Sequence, residues 1–290
     1  MKNIFRNITT CTLVLTALVT GKTRAQQPAG NHSLLWKVSG NGLHRPSYLY
    51  GTIHLICEQD FIMTEKVKKA FEASQQLVIE TNILDPNIGA IMQKAMAADV
   101  PLSKKLSPQD YTTVDSILQL KCGIPLKPLD NYKLIATLSL LMQKAFPCET
   151  TRSYEKAFIE MAQKEKRNIG ALEGLEEQAD FLTKSYTDEQ IISQVKAFDS
   201  SKEDMKQLVQ LYKDQDLDGM YKNMTKPGLM DENAIHWLLE IRNNNWAERM
   251  PEMMKKESCF FAVGAAHLPG PAGMIKLLRK KGYTVTPIMN

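Results

Sequence analysis

The sequence is short of most features that would place it in a specialised class. It has no run of about 18 uninterrupted apolar residues, so no membrane-spanning helix is expected. It has no C-x-x-C pair, which leaves a cysteine zinc site as a poor reading. It has no low-complexity tract and no linker rich in Pro, Gly or Ser, which argues against disorder, fibrous repeats and tethered modules. Its formal charge of +4 reflects 36 Lys+Arg against 32 Asp+Glu. That excess sits in residues 1–25, where Lys2, Arg6, Lys22 and Arg24 have no acidic counterpart. Beyond them the 32 remaining basic residues balance 32 acidic ones. Nucleic-acid binding thus loses its electrostatic basis, and no nucleic-acid partner is expected.

What is present first suggests a compartment. Lys2 and Arg6 precede the threonine-rich apolar stretch Ile8 to Val19, and Thr23-Arg24-Ala25 offers a small residue before a cut at Gln26. Residues 1–25 therefore read as a signal peptide, and the product as exported, periplasmic or secreted. Four cysteines follow: Cys57, Cys122, Cys148 and Cys259. An even number in an exported chain suggests disulfides, with three pairings open. Cys122 and Cys148 flank one helical segment, and that pairing is preferred.

Residues 26–290 read as one domain. Leu34–Val38 and Pro46–Tyr50 suggest a hairpin around the turn chemistry of Ser39-Gly40-Asn41-Gly42. A helix is expected from Thr64 to Ser74 and a buried strand over Leu77–Thr81. From about 84 to 255 the pattern is mainly helical, with segments at 87–98, 108–121, 131–146, 153–166, 188–199, 202–213 and 232–250. A short strand at Asn168–Leu172 interrupts them. Cys259–Val263 returns to strand, followed by a helix over 272–281 and a strand over 283–288. The predicted fold is α/β: a mixed central sheet built from both chain ends, flanked by helices, with a helical lobe from the middle of the chain.

One element occurs twice. Leu49-Tyr50-Gly51-Thr52-Ile53-His54 and Ala262-Val263-Gly264-Ala265-Ala266-His267 each run from an apolar strand into Gly51 or Gly264, and then to histidine. Glycine at a strand end permits a sharp turn or close approach. The histidine is then delivered to the sheet rim where ligands of open α/β folds sit. Two converging imidazoles can bind a transition metal or exchange protons. A metal-activated water needs a third ligand or a carboxylate base, and Glu80, ending its short strand, is the candidate. A single Gly-x-x-His carries little information, since a lone histidine is usually structural; two copies, each after a strand, carry more. His44 and His236 are isolated and read as structural or surface residues.

These residues resemble the TraB/GumN family, related to the Tiki metalloproteases. The likeness covers nearly the whole chain after the leader. It rests on Leu35-Trp36-Lys37-Val38, on Ser47 to Leu55, on Val78-Ile79-Glu80, on Leu172 to Gln178, on Ile241 to Ala247, and on Phe261 to Gly270 with Gly273, Leu277-Leu278 and Lys281-Gly282-Tyr283. The resemblance implies a metal-dependent hydrolase, in particular a peptidase, whose divalent metal is held by His54, His267 and Glu80. The wider superfamily looks similar to erythromycin esterases and to haem-binding lipoproteins, so it implies hydrolysis in some branches and ligand binding in others. Where the family often reads Leu-Glu-Thr this chain has Leu172-Glu173-Gly174, which removes a hydroxyl beside Glu173.

Arg242 lies on an apolar helical face with Ile235, Leu238 and Leu239. It is read either as a catalytic residue that orients substrate and stabilises charge, or as a structural partner of Glu80 or Glu173. Asn243 and Glu173 are supporting residues, and Trp36 and Trp246 read as core. Three readings stay open: a metal-dependent hydrolase acting on a peptide or small molecule, a non-catalytic haem- or metal-binding envelope protein, and a scaffold with a vestigial site.

Overall fold

The strands that the sequence marks at its two ends do meet. In the computed structural model, which describes residues 32–289, strand β1 (Leu35–Ser39) pairs antiparallel with β2 (Ser47–Thr52), placing Trp36 opposite Leu49. A two-residue strand β3 (Ile56–Cys57) follows, then β4 (Gln76–Thr81), β5 (Thr151–Arg152), β6 (Asn168–Glu173), β7 (Cys259–Gly264) and β8 (Thr284–Pro287). The main sheet has the order β6-β4-β7-β2-β1-β8. Strands β6, β4, β7 and β2 are mutually parallel, and β1 runs against them, so the sheet is mixed as expected. The expected signal segment, residues 1–25, lies outside the described residues. Among the described residues no helix is long and apolar enough to cross a membrane.

The parallel block explains its own composition. β7 reads Cys-Phe-Phe-Ala-Val-Gly with its first five residues buried, and β4 is buried from Leu77 to Thr81. Central parallel strands are covered on both faces and so carry continuous apolar runs rather than alternation. Phe71 and Phe158 stack at 5.7 Å on one face and both pack against Phe260. A second apolar cluster, among them Val114, Leu118, Leu138, Ile191 and Phe198, belongs to the helical lobe between β4 and β7. The two cores leave a space between the sheet rim and the lobe.

The helices fall near their expected places. Helices Glu65–Glu72, Pro108–Cys122, Tyr154–Lys164 and Asp188–Lys196 lie close to the predicted spans. The segment expected at 131–146 contracts to Ile135–Gln143, because Tyr132 bridges Ala97 instead. Leu217–Met224 escapes the periodicity argument: Gly219 sits inside it, and its start depends on Asp216, whose Oδ1 accepts the Gly219 N–H at 2.9 Å. The expected helix over 232–250 is Glu232–Ile235, a wider π-helical stretch over His236–Ile241, and Arg242–Lys256. Such stretches recur at functional sites, and this one ends at Arg242.

The disulfide is a correction. Cys57 pairs with Cys148, not Cys122 with Cys148, and Cys122 and Cys259 are free. The reason is the small β3–β5 ladder, which sets Cys57 opposite Thr151 while the Glu58 N–H donates to Thr150 O. That pairing carries Cys148 to Cys57. Cys122 instead ends its helix against the Leu140 carbonyl.

The bridge closes a loop of 91 residues, so its loss should cost about 2–4 kcal/mol, chiefly by freeing the unfolded chain. Thermal unfolding with and without reductant should show this drop. Cys57→Ser should unfold at the reduced protein's temperature, while Cys122→Ala should leave reductant sensitivity intact. Equal stability of the parent in both conditions would contradict the pairing.

Candidate functional site

Four parallel strands deliver their carboxyl ends to one rim. Thr52 of β2 is in register with Gly264 of β7, and Thr81 of β4 with Glu173 of β6. His54 follows β2, Glu80 is the penultimate residue of β4, and Glu173 ends β6. His267 closes the short turn Ala265–His267 after β7. The structure thus brings together His54, Glu80, Glu173, Arg242, Asn243 and His267.

The two glycines are required by close approach rather than by unusual dihedral angles. A Cβ on Gly51 would stand 3.0 Å from Ala265 Cα and 3.3 Å from Leu268. A Cβ on Gly264 would stand 3.3 Å from Glu80 Oε1, 3.4 Å from His267 Cδ2 and 3.6 Å from His54 Nε2. Gly51 lets β2 lie against the turn that carries His267. Gly264 leaves the space on which both histidines and Glu80 converge.

Arg242 organises the buried part. Its Nη2 donates to Glu80 Oε2 at 2.6 Å and to Glu173 Oε1 at 2.7 Å. Its Nε donates to Glu173 Oε1 at 3.0 Å, and its Nη1 to the Leu238 carbonyl and His267 Nε2, each at 3.2 Å. A guanidinium has five N–H donors, and these contacts use all of them. Arg242 is therefore a framework residue here, with no N–H left to orient a substrate. Glu173 also accepts from Trp246 Nε1 at 2.9 Å and from Gln178 Nε2 at 3.1 Å. Trp246, read as plain core, is thus a hydrogen-bonding partner of the site. Gly174 does no harm there: Glu177 reaches back to the Gly174 N–H, and Glu173 has its own partners.

Both histidines are fixed through Nδ1. His267 Nδ1 lies 2.7 Å from Asn243 Oδ1, while Asn243 Nδ2 donates to Ala272 O at 2.9 Å. That amide orientation puts the proton on His267 Nδ1 and leaves the Nε2 lone pair for Arg242. His54 Nδ1 lies 3.0 Å from Glu155 Oε1, which also accepts from Thr52 Oγ1 at 2.6 Å, while Ser153 Oγ donates to Glu155 Oε2 at 2.8 Å. Glu155 escapes the sequence reading because an acid in the first turn of an amphipathic helix looks like a dipole-favoured surface residue. No local pattern distinguishes it.

The charges do not cancel. The cluster holds three buried carboxylates, Glu80, Glu155 and Glu173, and one buried guanidinium, which contacts Glu80 and Glu173. Burial opposes ionisation of Glu80, but Arg242, then His54, His267 and the Gly264 N–H, hold it well below the usual carboxylate range. Burial likewise opposes ionisation of Glu155, yet its bond to His54 lowers it. Burial pushes Glu173 up despite Arg242. His267 is lowered to about 3 by burial and by Arg242, so it is neutral near pH 7. His54 goes the other way: burial disfavours its charge, but Glu155 and Glu80 raise it to about 9. Its side chain is 66% accessible, opening into cavity solvent, so this pull is partly screened.

Two cavities adjoin the cluster. One, of about 460 Å³, has Thr52, His54, Arg242 and Gly264–His267 as its floor and Met142, Phe146, Leu208 and Met224 among its walls. The other, of about 320 Å³, contains Glu80, Glu155, Lys156 and Gln178. His54 borders both.

Among the described residues, no three His, Cys, Asp or Glu side chains stand as a ready metal cage; the Arg242 guanidinium lies between His267 and Glu80. The donor chemistry nonetheless fits a divalent metal. Each histidine has Nδ1 tied to an oxygen, as metal-ligating histidines do. Glu80 and the His54 Nε2 border the space over Gly264, and the cluster has negative charge to spare.

The family model described as TraB/PrgY/gumN family matches residues 34–287. No curated protein and no solved structure matches the chain.

After dialysis against a chelator, the His54 ring should titrate by NMR above its ordinary 6.5. Its proton then favours the folded state below pH 6.5, a contribution lost as pH rises toward 9. Glu155→Gln should return the midpoint toward 6.5; a parent midpoint already there would refute the pairing. Arg242→Met should cost about 3–5 kcal/mol in denaturant unfolding, since it strands Glu80 and Glu173. Adding Glu80→Gln and Glu173→Gln should recover part of that loss.

Proposed function

The chain belongs to the TraB/PrgY/gumN family, and on that premise we propose that it is an exported, metal-dependent hydrolase acting at the rim of its sheet. The observation that carries this reading is the charge imbalance: three buried carboxylates against one guanidinium, with two Nδ1-anchored histidines beside them. Uncompensated buried charge is costly. At neutral pH a proton on His54 meets part of the deficit, and a divalent cation in its place would meet the rest. Export is supported by the leader pattern together with the Cys57–Cys148 bridge, a bond that persists in oxidising compartments.

His54 Nε2, Glu80 and His267 Nε2 would hold the metal. Taking His267 as a ligand means displacing one Arg242 N–H from it. A divalent metal supplies Lewis-acid chemistry, polarising a carbonyl and letting water attack at neutral pH. Glu80 is held too strongly ionised to be an effective general base, and its role is that of an anionic anchor. Glu155 fixes the tautomer of His54 so that Nε2 faces the site, and Asn243 does the same for His267. Arg242 keeps Glu80 and Glu173 together and positions rather than contacts substrate. The larger cavity gives the scissile carbonyl access to this floor. In the reaction water oxygen bonds to the carbonyl carbon, the C–N or C–O bond breaks, and a water proton passes to the leaving group.

Metal analysis of residues 26–290 after dialysis against low micromolar zinc or manganese should find about one ion per chain. His54→Ala and Glu80→Gln, both folded by circular dichroism, should lose it, and loss of metal should abolish cleavage of peptide or ester substrates. A folded parent that takes up no metal would sink the metal mechanism. A parent that keeps metal and cleaves nothing would be a binding protein.

A further inference from the structure

The cavity above the charged floor is not a blind pocket. A second cavity of about 320 Å³ adjoins it in the helical lobe, and Met142, Leu182, Met205, Leu208, Met224 and Met230 line both. Each cavity alone falls in the range of ligand pockets, roughly 300–1,000 Å³. Four of these six shared wall residues are methionines. Methionine is unbranched and adapts its shape at low cost, so this wall can yield to an extended ligand in a way that valine or isoleucine could not.

The second cavity also offers little to a polar ligand. Its polar side chains spend their bonds on the protein. Ser139 donates to Ile135 O, Ser201 to Ala197 O and Gln194 to Leu229 O, while Asn223 bonds Gln207, Asp204 pairs with Lys226, and Tyr186 bonds Gln194. A peptide drawn into this space would bury backbone N–H and C=O groups without partners, at a cost a hydrocarbon does not incur. At the opposite end the floor is Thr52, His54, Arg242 and Gly264–His267, and the carboxylates of Glu80, Glu155 and Glu173 stand behind it; together they outnumber the two cationic groups, which disfavours a free carboxylate head group.

From this combination we infer that the site takes a long-chain acyl ester or amide, with its uncharged carbonyl at the His54–Gly264 floor and its tail passing the methionine wall into the second cavity. This rests on the hydrolytic reading only for the head group; the tail pocket stands independently. The ligand is an acyl chain joined to an alcohol or amine, and water is the only co-reactant.

The test is equilibrium binding of fatty-acid methyl esters of increasing length, from about four to about sixteen carbons, in competition with a fluorescent polyene fatty-acid methyl ester. Affinity should rise by up to about fourfold per added methylene until the cavities are filled. Leu229→Trp or Leu138→Trp, which line the second cavity and not the one over the floor, each checked for a native melting transition, should abolish the gain for the longer esters and leave the shortest nearly unchanged. His54→Ala should keep the chain-length dependence, because it touches only the head end. Affinity independent of length, indifference to both wall variants, or preference for apolar peptides over esters would each overturn the acyl pocket. If the chain-length gain is present but no ester or amide is cleaved, the hydrolytic reading fails and the pocket stands. Cleavage of short substrates with no length dependence gives the reverse.

Discussion

The rim of the sheet depends on one guanidinium. Arg242 reaches from its helix to the ends of β4 and β6 and to the turn after β7, so four parts of the chain share one cation. Taking such a charge out of water is expensive, and it is tolerated because its bonds are met by charged or dipolar acceptors. Trp246 covers the same charge, its ring 4.8 Å from the guanidinium carbon, and gives its own N–H to Glu173. The arrangement is a framework first. Any chemistry at the rim inherits its positions from Arg242.

That framework also separates the roles of the two histidines. They occupy equivalent places in a repeated motif, yet their surroundings make them different groups. His267 is enclosed between Trp246, Asn243 and Arg242 and is kept neutral. His54 stands at the cavity mouth between Glu155 and Glu80 and is kept charged. A pair whose environments push their proton affinities apart is a common device at active sites. Here the device comes from acid placement: Glu155 serves one histidine only, and Arg242 contacts the other.

Much of this was legible in the sequence. The Gly-x-x-His copies, Glu80 and Glu173 are set by strand ends, and strand ends follow from short apolar runs that punctuate clearly. Arg242 was legible as a buried position from the apolar residues sharing its helical face, although its commitment to Glu80, Glu173 and His267 at once was not. Glu155 was invisible because its importance comes from a contact 101 residues away in sequence, with nothing local to mark it. The cysteine pairing failed for a similar reason: nearness along the chain favoured Cys122, whereas a two-residue ladder between β3 and β5 decides for Cys57. The helical lobe was predicted in outline, and Leu217–Met224 was lost where a glycine weakens propensity and a cap restores the helix.

The origin of the central strands has a consequence in time. β7 is inserted between β2 and β4, and its first residue bonds Ser47, 212 positions earlier in the chain. A chain emerging amino end first thus exposes β2 and β4 without the strand that joins them, and it lacks His267 as well. Pairings of such long range are slow to form and leave strand edges open meanwhile. The disulfide partners, by contrast, are both present once residue 148 has emerged. Covalent closure around the amino-terminal strands can precede sheet completion, and the rim, with whatever reactivity it holds, is assembled last.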